Sequence, residues 1–351
     1  MILNLIDILL QPIYNRNFRE NSLIISSMIS IEEITNPISV ILDAYEKRLS
    51  AFLEAENDLI YQATSHLLSS TGKRLRPATL FLSSAAFGCQ DDKMVAPAIA
   101  LEMIHNATLL HDDVIDQSRY RRGKETVNYH WSNLVAVLMG DYFFAKAFKI
   151  LVYAGRQDLL DAVSSATERV SIGELGQVQE LHNMSLTEEA YLSIISNKTA
   201  SLFSCAGQCG AMIAGTNGEN RKSLYNYGEN LGIAFQIADD LLDFVGDERK
   251  LGKGVGSDLK EGWFTLPLIY SLGNSSPDAA KTIKEILANG FHEEQFPLVR
   301  DFVHESGGIE YSKQRATAYR DRALESLTKI EDSIYKSALI KLAEFTVLRE
   351  R

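Results

Sequence analysis

Two short acidic runs constrain this chain more than anything else in it: Asp112-Asp113-x-x-Asp116 in HNATLLHDDVIDQSRYRR and Asp239-Asp240-x-x-Asp243 in FQIADDLLDF. Both lie in apolar stretches with helical periodicity. On a helix, residues four apart project from one face, so each run forms a platform of carboxylates. A solvated acidic face would not be flanked by Leu109-Leu110-His111 on one run and Phe235-Gln236-Ile237-Ala238 on the other. Two embedded platforms can hold a shared cluster of divalent ions. All six aspartates are hard oxygen donors with no cysteine or imidazole set beside them, which favours Mg²⁺ over Zn²⁺. A calcium EF-hand loop does not fit, because Val114 falls at its third position and its sixth lacks glycine.

Bringing two distant platforms together needs a large fold, and composition bounds which kind. The 351 residues are 46% hydrophobic and 23% charged, enough for a substantial core. Helical periodicity runs nearly throughout, with no repeat, heptad run or β-alternation, and predicts one all-α domain. A formal charge of −11 disfavours a nucleic-acid surface, so an anionic ligand must be small and locally bound. Cys89, Cys205 and Cys209 are too few for a disulfide framework, which fits a reducing, cytoplasmic setting. Cys205 and Cys209, among alanines and glycines, read as a packing face. No apolar run reaches the roughly 18 residues of a membrane span. MILNLIDILL lacks a basic n-region and contains Asp7, against a secretory signal; Arg16 and Arg19 favour a mitochondrial presequence, while Asp7 and Glu20 oppose one. A start at Met28 is equally open. Residues 1–35 are expected to be an N-terminal extension, and 36–351 the single domain.

The pattern predicts a helix from 38 to 68 opened by Asn36-Pro37, and a break at 69–72. The helix carrying His105 and the first platform should end near 117–120. Further helices are expected at 132–154, 157–182, 187–214 with Lys198-Thr199 in its middle, and 220–245, capped by Asn220 and bearing the second platform. Four glycines then fall between 246 and 256 beside Lys250 and Lys253, as a connecting loop or a mobile lid.

Cations stand next to the acids. Carboxylates repel phosphates directly, so metal ions must bridge them, while Lys and Arg grip from the other side. Lys73, Arg76 and Arg122 could hold one diphosphate; Arg121, Lys198 and Lys253 could hold a second that also binds metal. Metal-bound diphosphate is a good leaving group, so ionisation of a carbon–oxygen bond is the natural reaction.

The motifs GKRLRP at 72–77, EMIHNATLLHDDVID at 102–116, RRG at 121–123, GELGQ at 173–177, NKTA at 197–200 and FQIADDLLDF at 235–244 resemble those of the trans-polyprenyl diphosphate synthases, in order and spacing, across roughly residues 40–350. The resemblance implies the isoprenoid synthase fold, about a dozen helices around a central cavity, and a homodimer. It implies that farnesyl or geranylgeranyl diphosphate binds with three Mg²⁺ ions, loses diphosphate, and is attacked as a cation by isopentenyl diphosphate. By the same resemblance Asp112, Asp116 and Asp239 ligate metal, with Asp113, Asp240 and Asp243 as further ligands or supporting acceptors. Lys73, Arg76, His105 and Arg122 hold isopentenyl diphosphate. Arg121, Lys198 and Lys253 hold the allylic diphosphate, and Thr199 and Gln236 place oxygens beside the cation; Lys198, Thr199, Gln236 and Arg121 form the catalytic set. Phe235 is either a cation–π partner or core.

One position departs from the family pattern D-L-x-E-G-K-x-T-L-P: Trp263 stands where lysine is usual, so either Lys260 or Lys253 supplies the charge or the allylic diphosphate is bound more weakly. Small Ala107 and Thr108, where short-chain members carry an aromatic, imply an open tail tunnel, with Met103, Ile104 and the apolar face of 134–148 setting its depth. Pocket size discriminates weakly per methylene, so a product of about thirty to fifty carbons is expected, centred on octaprenyl for a quinone side chain. Three alternatives are a shorter-chain farnesyl or geranylgeranyl diphosphate synthase, a terpene cyclase, and a non-catalytic subunit of a heteromeric synthase. The intact second platform argues against the cyclase, and the six aspartates argue against the subunit.

Overall fold

Polar side chains at helix starts divide this helix-forming sequence more sharply than its periodicity suggests. The computed structural model describes residues 29–52, 57–69, 72–245, 256–288 and 291–348. Helix α1, Ile31–Thr35, starts where the Ser30 hydroxyl accepts from the Glu33 amide, and it leads through a 3₁₀ turn at Asn36–Ile38 into α2, Ser39–Phe52. The helix expected over 38–68 is therefore two helices, because Asn57 in extended geometry accepts from the Ile60 amide and starts α3, Asp58–Leu68, afresh. Ile34 of α1 is fully buried, so packing begins ahead of the expected boundary at residue 36.

There follow α4, Leu75–Ala85, and α5, Val95–Ile115, which carries the first platform. Helix α5 ends short of 117–120, since Asp116 is its C-cap and Gln117 turns left-handed at φ 50°. A small antiparallel hairpin, β1 Tyr120–Arg121 and β2 Lys124–Glu125, comes next. Strands of two residues are too short to leave an alternating pattern. Then come α6, Val127–His130; α7, Asn133–Ala154; α8, Gln157–Gln179; and α9, Glu188–Ile195. Residues Ser196–Ala200 form a π-helical turn leading directly into α10, Ser201–Ile213, so the expected helix over 187–214 is widened at Lys198-Thr199. Helix α11, Gly218–Val245, carries the second platform. Its start is capped by Asn217, whose side chain accepts from the Asn220 amide at 2.9 Å, and not by Asn220. The rest is helical: α12, Ser257–Glu261; α13, Leu266–Asn274; α14, Pro277–Ala288; α15, Phe296–Glu305; α16, Gly308–Ser326; and α17, Ile334–Leu348.

The all-α expectation holds, with α11 as the central member, packed along α10 and α16. Its first half (Leu224, Tyr227, Leu231) joins a core built from α2, α4, α5, α7 and α10. Its second half (Ile237, Leu241, Phe244) joins another built from α9, α13, α15 and α16. The second platform thus rides on a helix clamped from both sides. None of the described helices is long and apolar enough to cross a membrane.

Cap assignment gives a direct test. Asn217→Ala should lower unfolding free energy by about 1 kcal/mol, whereas Asn220→Ala should change it by less than about 0.5 kcal/mol. Urea denaturation of both variants checks this, and the reverse ranking would refute the assignment.

Candidate active site

The two platforms differ in how they meet a cavity: all three aspartates of the second line it, but only Asp112 of the first does. A cavity of about 900 Å³ is lined by Asp112 and by Asp239, Asp240 and Asp243, together with Lys198, Thr199, Phe235 and Gln236. Asp113 is buried and accepts from Arg121 Nε at 2.8 Å; the hairpin turn brings that arginine back onto the helix end. Asp240 is buried and accepts from the Tyr191 hydroxyl at 2.6 Å and from Gln236 Nε2 at 2.7 Å. Gln236 Oε1 then accepts from the Thr199 hydroxyl at 2.7 Å, so a chain of hydrogen bonds fixes which oxygen each group shows. Asp243 accepts from the Ser257 amide at 3.1 Å, the Ser257 hydroxyl at 3.0 Å and the Asp258 amide at 3.1 Å, tying α12 to α11. Asp116 stands at the α5 C-cap, outside the residues lining the cavity.

Lys198 donates to Glu174 at 2.6 Å and lies 3.8 Å from Asp112. Burial alone would lower its pKa, but Asp112 and Glu174 more than offset that and raise it. Glu174 is pushed up to about 7, by burial first and then by Asp112 and Asp116, against the pull of Lys198. Burial likewise pushes Asp240 up to about 7, against its two hydrogen bonds and with Asp239 and Asp243 adding to it. Carboxyls raised first by burial and then by neighbouring acids are oxygen donors whose charge a divalent cation would stabilise, and their all-oxygen chemistry fits Mg²⁺. Among the described residues, no three His, Cys, Asp or Glu side chains converge into a ready-made metal site, so oxygens from a ligand would complete the coordination.

The same cavity has a cationic group in its lining, Lys73, Arg76, His105 and Arg122, while Arg121 is held at the first platform by Asp113. Arg74 caps α4 at φ 50° and is consumed structurally, by Glu46 at 2.9 Å and Glu102 at 2.7 Å. Arg76 is not. Among the described residues its Nε is buried without a hydrogen-bond partner, its guanidinium lies 4.7 Å from the Phe203 ring, and its pKa falls to about 10 through burial and Arg122, with Glu102 opposing. Burial and then Arg121 lower Arg122. His105 is held well below its ordinary value by burial, then by Arg76 and Arg122, and so faces the cavity as neutral imidazole. Lys73 Nζ lies 5.1 Å from the Phe345 ring, which brings α17 over this group. Buried cations lowered first by burial and then by one another can receive a multiply charged anion.

Lys253 lies outside the described residues, as do Lys250 and the glycines at 246, 252 and 254. Trp263 is buried against Tyr191, ring centroids 6.2 Å apart, and brings no charge. Lys260 does not replace the missing lysine, because it pairs at the exposed surface with Glu293 at 2.7 Å. Thr108 lines the cavity and donates to the His105 carbonyl at 2.8 Å, whereas Ala107 is fully buried in the core. Glu174 and Tyr191 carry contacts that sequence reasoning did not assign. The GELGQ motif contains Glu174 and signals it; Tyr191 reads in sequence as one more aromatic on an apolar helix face.

A profile of polyprenyl synthetases matches residues 57–299. The chain belongs to the polyprenyl synthetase family. It is similar to octaprenyl diphosphate synthase of Escherichia coli, 38% identical over 85% of this chain and 93% of that protein. It is also similar to geranylgeranyl diphosphate synthase of Sulfolobus acidocaldarius, 35% identical over 91% of this chain and 97% of that protein. Among solved structures, a polyprenyl synthase of Caulobacter crescentus complexed with calcium and isoprenyl diphosphate superposes with a TM-score of 0.88 at 33% identity, over 92% of this chain and 98% of that one. Likeness at that level shows the isoprenoid synthase fold of the family.

The raised Glu174 carboxyl has a pH signature. It titrates at about 7 when folded and near 4.5 when unfolded, so the folded state holds the extra proton and wild-type stability falls as pH rises between those values. Glu174→Gln lacks this loss. The Tm of the variant minus that of wild type should therefore grow more positive from about pH 5 to about pH 8; a pH-independent difference in scanning calorimetry would refute the shift.

Proposed function

We propose that the protein is a magnesium-dependent trans-prenyltransferase that extends an allylic diphosphate with isopentenyl diphosphate and releases diphosphate. What carries the reading is one cavity lined both by carboxylates from two helices and by a self-repelling cluster of Arg76, Arg122 and His105. Two anions of unlike environment fit there, one through metal and one through guanidinium. Family membership and the named relatives support it.

On this reading Lys73, Arg76, Arg122 and His105 hold isopentenyl diphosphate, with Arg76 Nε as the donor that the fold itself does not satisfy. Lys198 and Arg121 turn toward the allylic diphosphate from their carboxylate partners Glu174 and Asp113. Thr199 and Gln236, locked by the bonds to Asp240, keep oxygen atoms toward the cavity where positive charge develops. Asp112, Asp116 and Asp239 would hold magnesium, which supplies Lewis-acid stabilisation of the leaving diphosphate when bound. Asp113, Asp240 and Asp243 keep the platforms and their neighbours in register.

The octaprenyl and nonaprenyl relatives, together with the small Thr108 at the cavity wall, support a long product, and we assign octaprenyl. Incubation with Mg²⁺, labelled isopentenyl diphosphate and farnesyl diphosphate should give a ladder ending near octaprenyl, and Thr108→Phe should shorten it. A wild-type ladder stopping at geranylgeranyl would favour the function of the Sulfolobus relative instead. No incorporation by folded protein would sink the stand-alone enzyme.

Helices α7 and α8 leave Leu134, Leu138, Val152 and Tyr153, and Ile172, Leu175 and Val178, exposed. A face of that kind marks a protein contact, and we assign it to a homodimer. Sedimentation equilibrium should report twice the chain mass of 39.1 kDa, and Leu138→Lys should shift it toward the single chain. A wild-type monomer would refute the assignment.

A further inference from the structure

The π-helical turn Ser196–Ala200 is where Lys198 and Thr199 enter the cavity, and a π turn within an α-helix is a rare conformation that needs support. Its defining bond runs from the Ser201 amide to the Ser196 carbonyl. Two helices close on it. On α8, a Cβ at Gly173 would stand 2.3 Å from the Lys198 amide nitrogen; on α11, a Cβ at Gly232 would stand 2.4 Å from Ala200 Cα. Only glycine allows either approach.

About one turn before each glycine stands a charge, Arg169 on α8 and Glu229 on α11. Arg169 donates from Nη1 and Nη2 to the two Glu229 oxygens at 3.0 and 2.8 Å. From the same guanidinium, Nη2 donates to the Ser196 carbonyl at 3.0 Å and to the Ser196 hydroxyl at 2.9 Å, and Nε donates to Asn197 Oδ1 at 3.0 Å. The Ser196 hydroxyl donates its own proton to Glu229, and the Tyr225 hydroxyl accepts from Nη1 at 2.7 Å. The carbonyl that receives the π bond is therefore also held by Arg169, and so is the side chain just before Lys198. Arg169 itself lies outside the lining of the 900 Å³ cavity.

We propose that Arg169, braced by Glu229, is a positioning residue that fixes the π turn and thereby sets where Lys198 Nζ and Thr199 Oγ1 stand at the allylic end of the site. This rests on the role proposed above for those two groups. Lysine cannot reproduce the arrangement, because a single ammonium lacks the planar fork that spans Glu229, Ser196 and Asn197.

The test compares Arg169→Lys with wild type and with Arg156→Lys, whose arginine pairs with Asp158 and the Met212 carbonyl at the start of α8, away from the turn. Hydrogen exchange should speed up about tenfold in a peptide covering 195–202 and stay unchanged in one covering 95–115, because the opening is local. KM for the allylic diphosphate should rise about tenfold while that for isopentenyl diphosphate stays within about twofold, since only one substrate's grip is displaced. Arg156→Lys should show neither effect. If Arg169→Lys does not fold, Glu229→Gln, which leaves the guanidinium in place without its brace, carries the same two measurements. Unchanged exchange at 195–202 would overturn the proposal, as would a fall in kcat with both KM values unchanged, which reports only fewer folded molecules. If wild type failed to elongate while exchange still rose in the variant, the clamp would stand and the prenyl-transfer reading would fall.

Discussion

Like charges confined together govern this molecule. In a single cavity Glu174 and Asp240 are driven up to about 7, while Arg76 is driven down to about 10 and His105 well below its ordinary value. Burial is the largest cause at all four sites and like-charged neighbours add to it. A fold selected for stability alone would place hydrophobic side chains here, since buried charge costs more than it returns unless fully paired. Part of this charge is already neutralised in pairs, Lys198 with Glu174, Arg121 with Asp113, and Arg74 with Glu46 and Glu102. What remains is complementary to two anionic groups of unlike surroundings, one met by guanidinium and one that brings divalent cations with it.

The cost is sustained by the helices that carry it. Helix α11 is anchored in two apolar clusters, so Asp239, Asp240 and Asp243 are held on a rod that neither cluster can release alone. Within the aspartate runs, position determines task. Asp113, Asp240 and Asp243 hold Arg121, Tyr191 with Gln236, and the start of α12, and Asp112 and Asp239 line the cavity beside Asp240 and Asp243. The D-D-x-x-D pattern therefore joins two jobs, and the apolar flanks noted in the sequence are the packing that keeps them apart.

Much of this could be read from residues in order. The helical character, both platforms and the basic runs follow from periodicity and from charge next to apolar sequence, which are local signals. The failures are physical in kind. Asn57 and Asn217 act through one hydrogen bond each, so a cap a few residues away reads equally well from sequence. The hairpin at 120–125 is too short for periodicity, and the π turn adds one residue to a helix without changing its composition. Glu174, Tyr191 and Arg169 matter through partners 24 to 60 residues away, set by which faces of α8, α9 and α11 meet. No spacing rule within one helix reports that.

Trp263 shows how a departure from the family pattern is absorbed. A lysine there would add positive charge beside the acidic platforms, whereas the tryptophan is buried and lies against Tyr191, whose hydroxyl holds Asp240. The exchange replaces a cation by packing behind the hydrogen-bond chain that runs through Asp240 and Gln236 to Thr199. Lys260 is committed to Glu293 at the surface, and the cations described beside the platforms, Lys198 and Arg121, each have a carboxylate partner. On the proposed reading, neutralising a diphosphate there would rest more on divalent ions than with a lysine at 263, because fixed positive charge is lower while the carboxylates are unchanged.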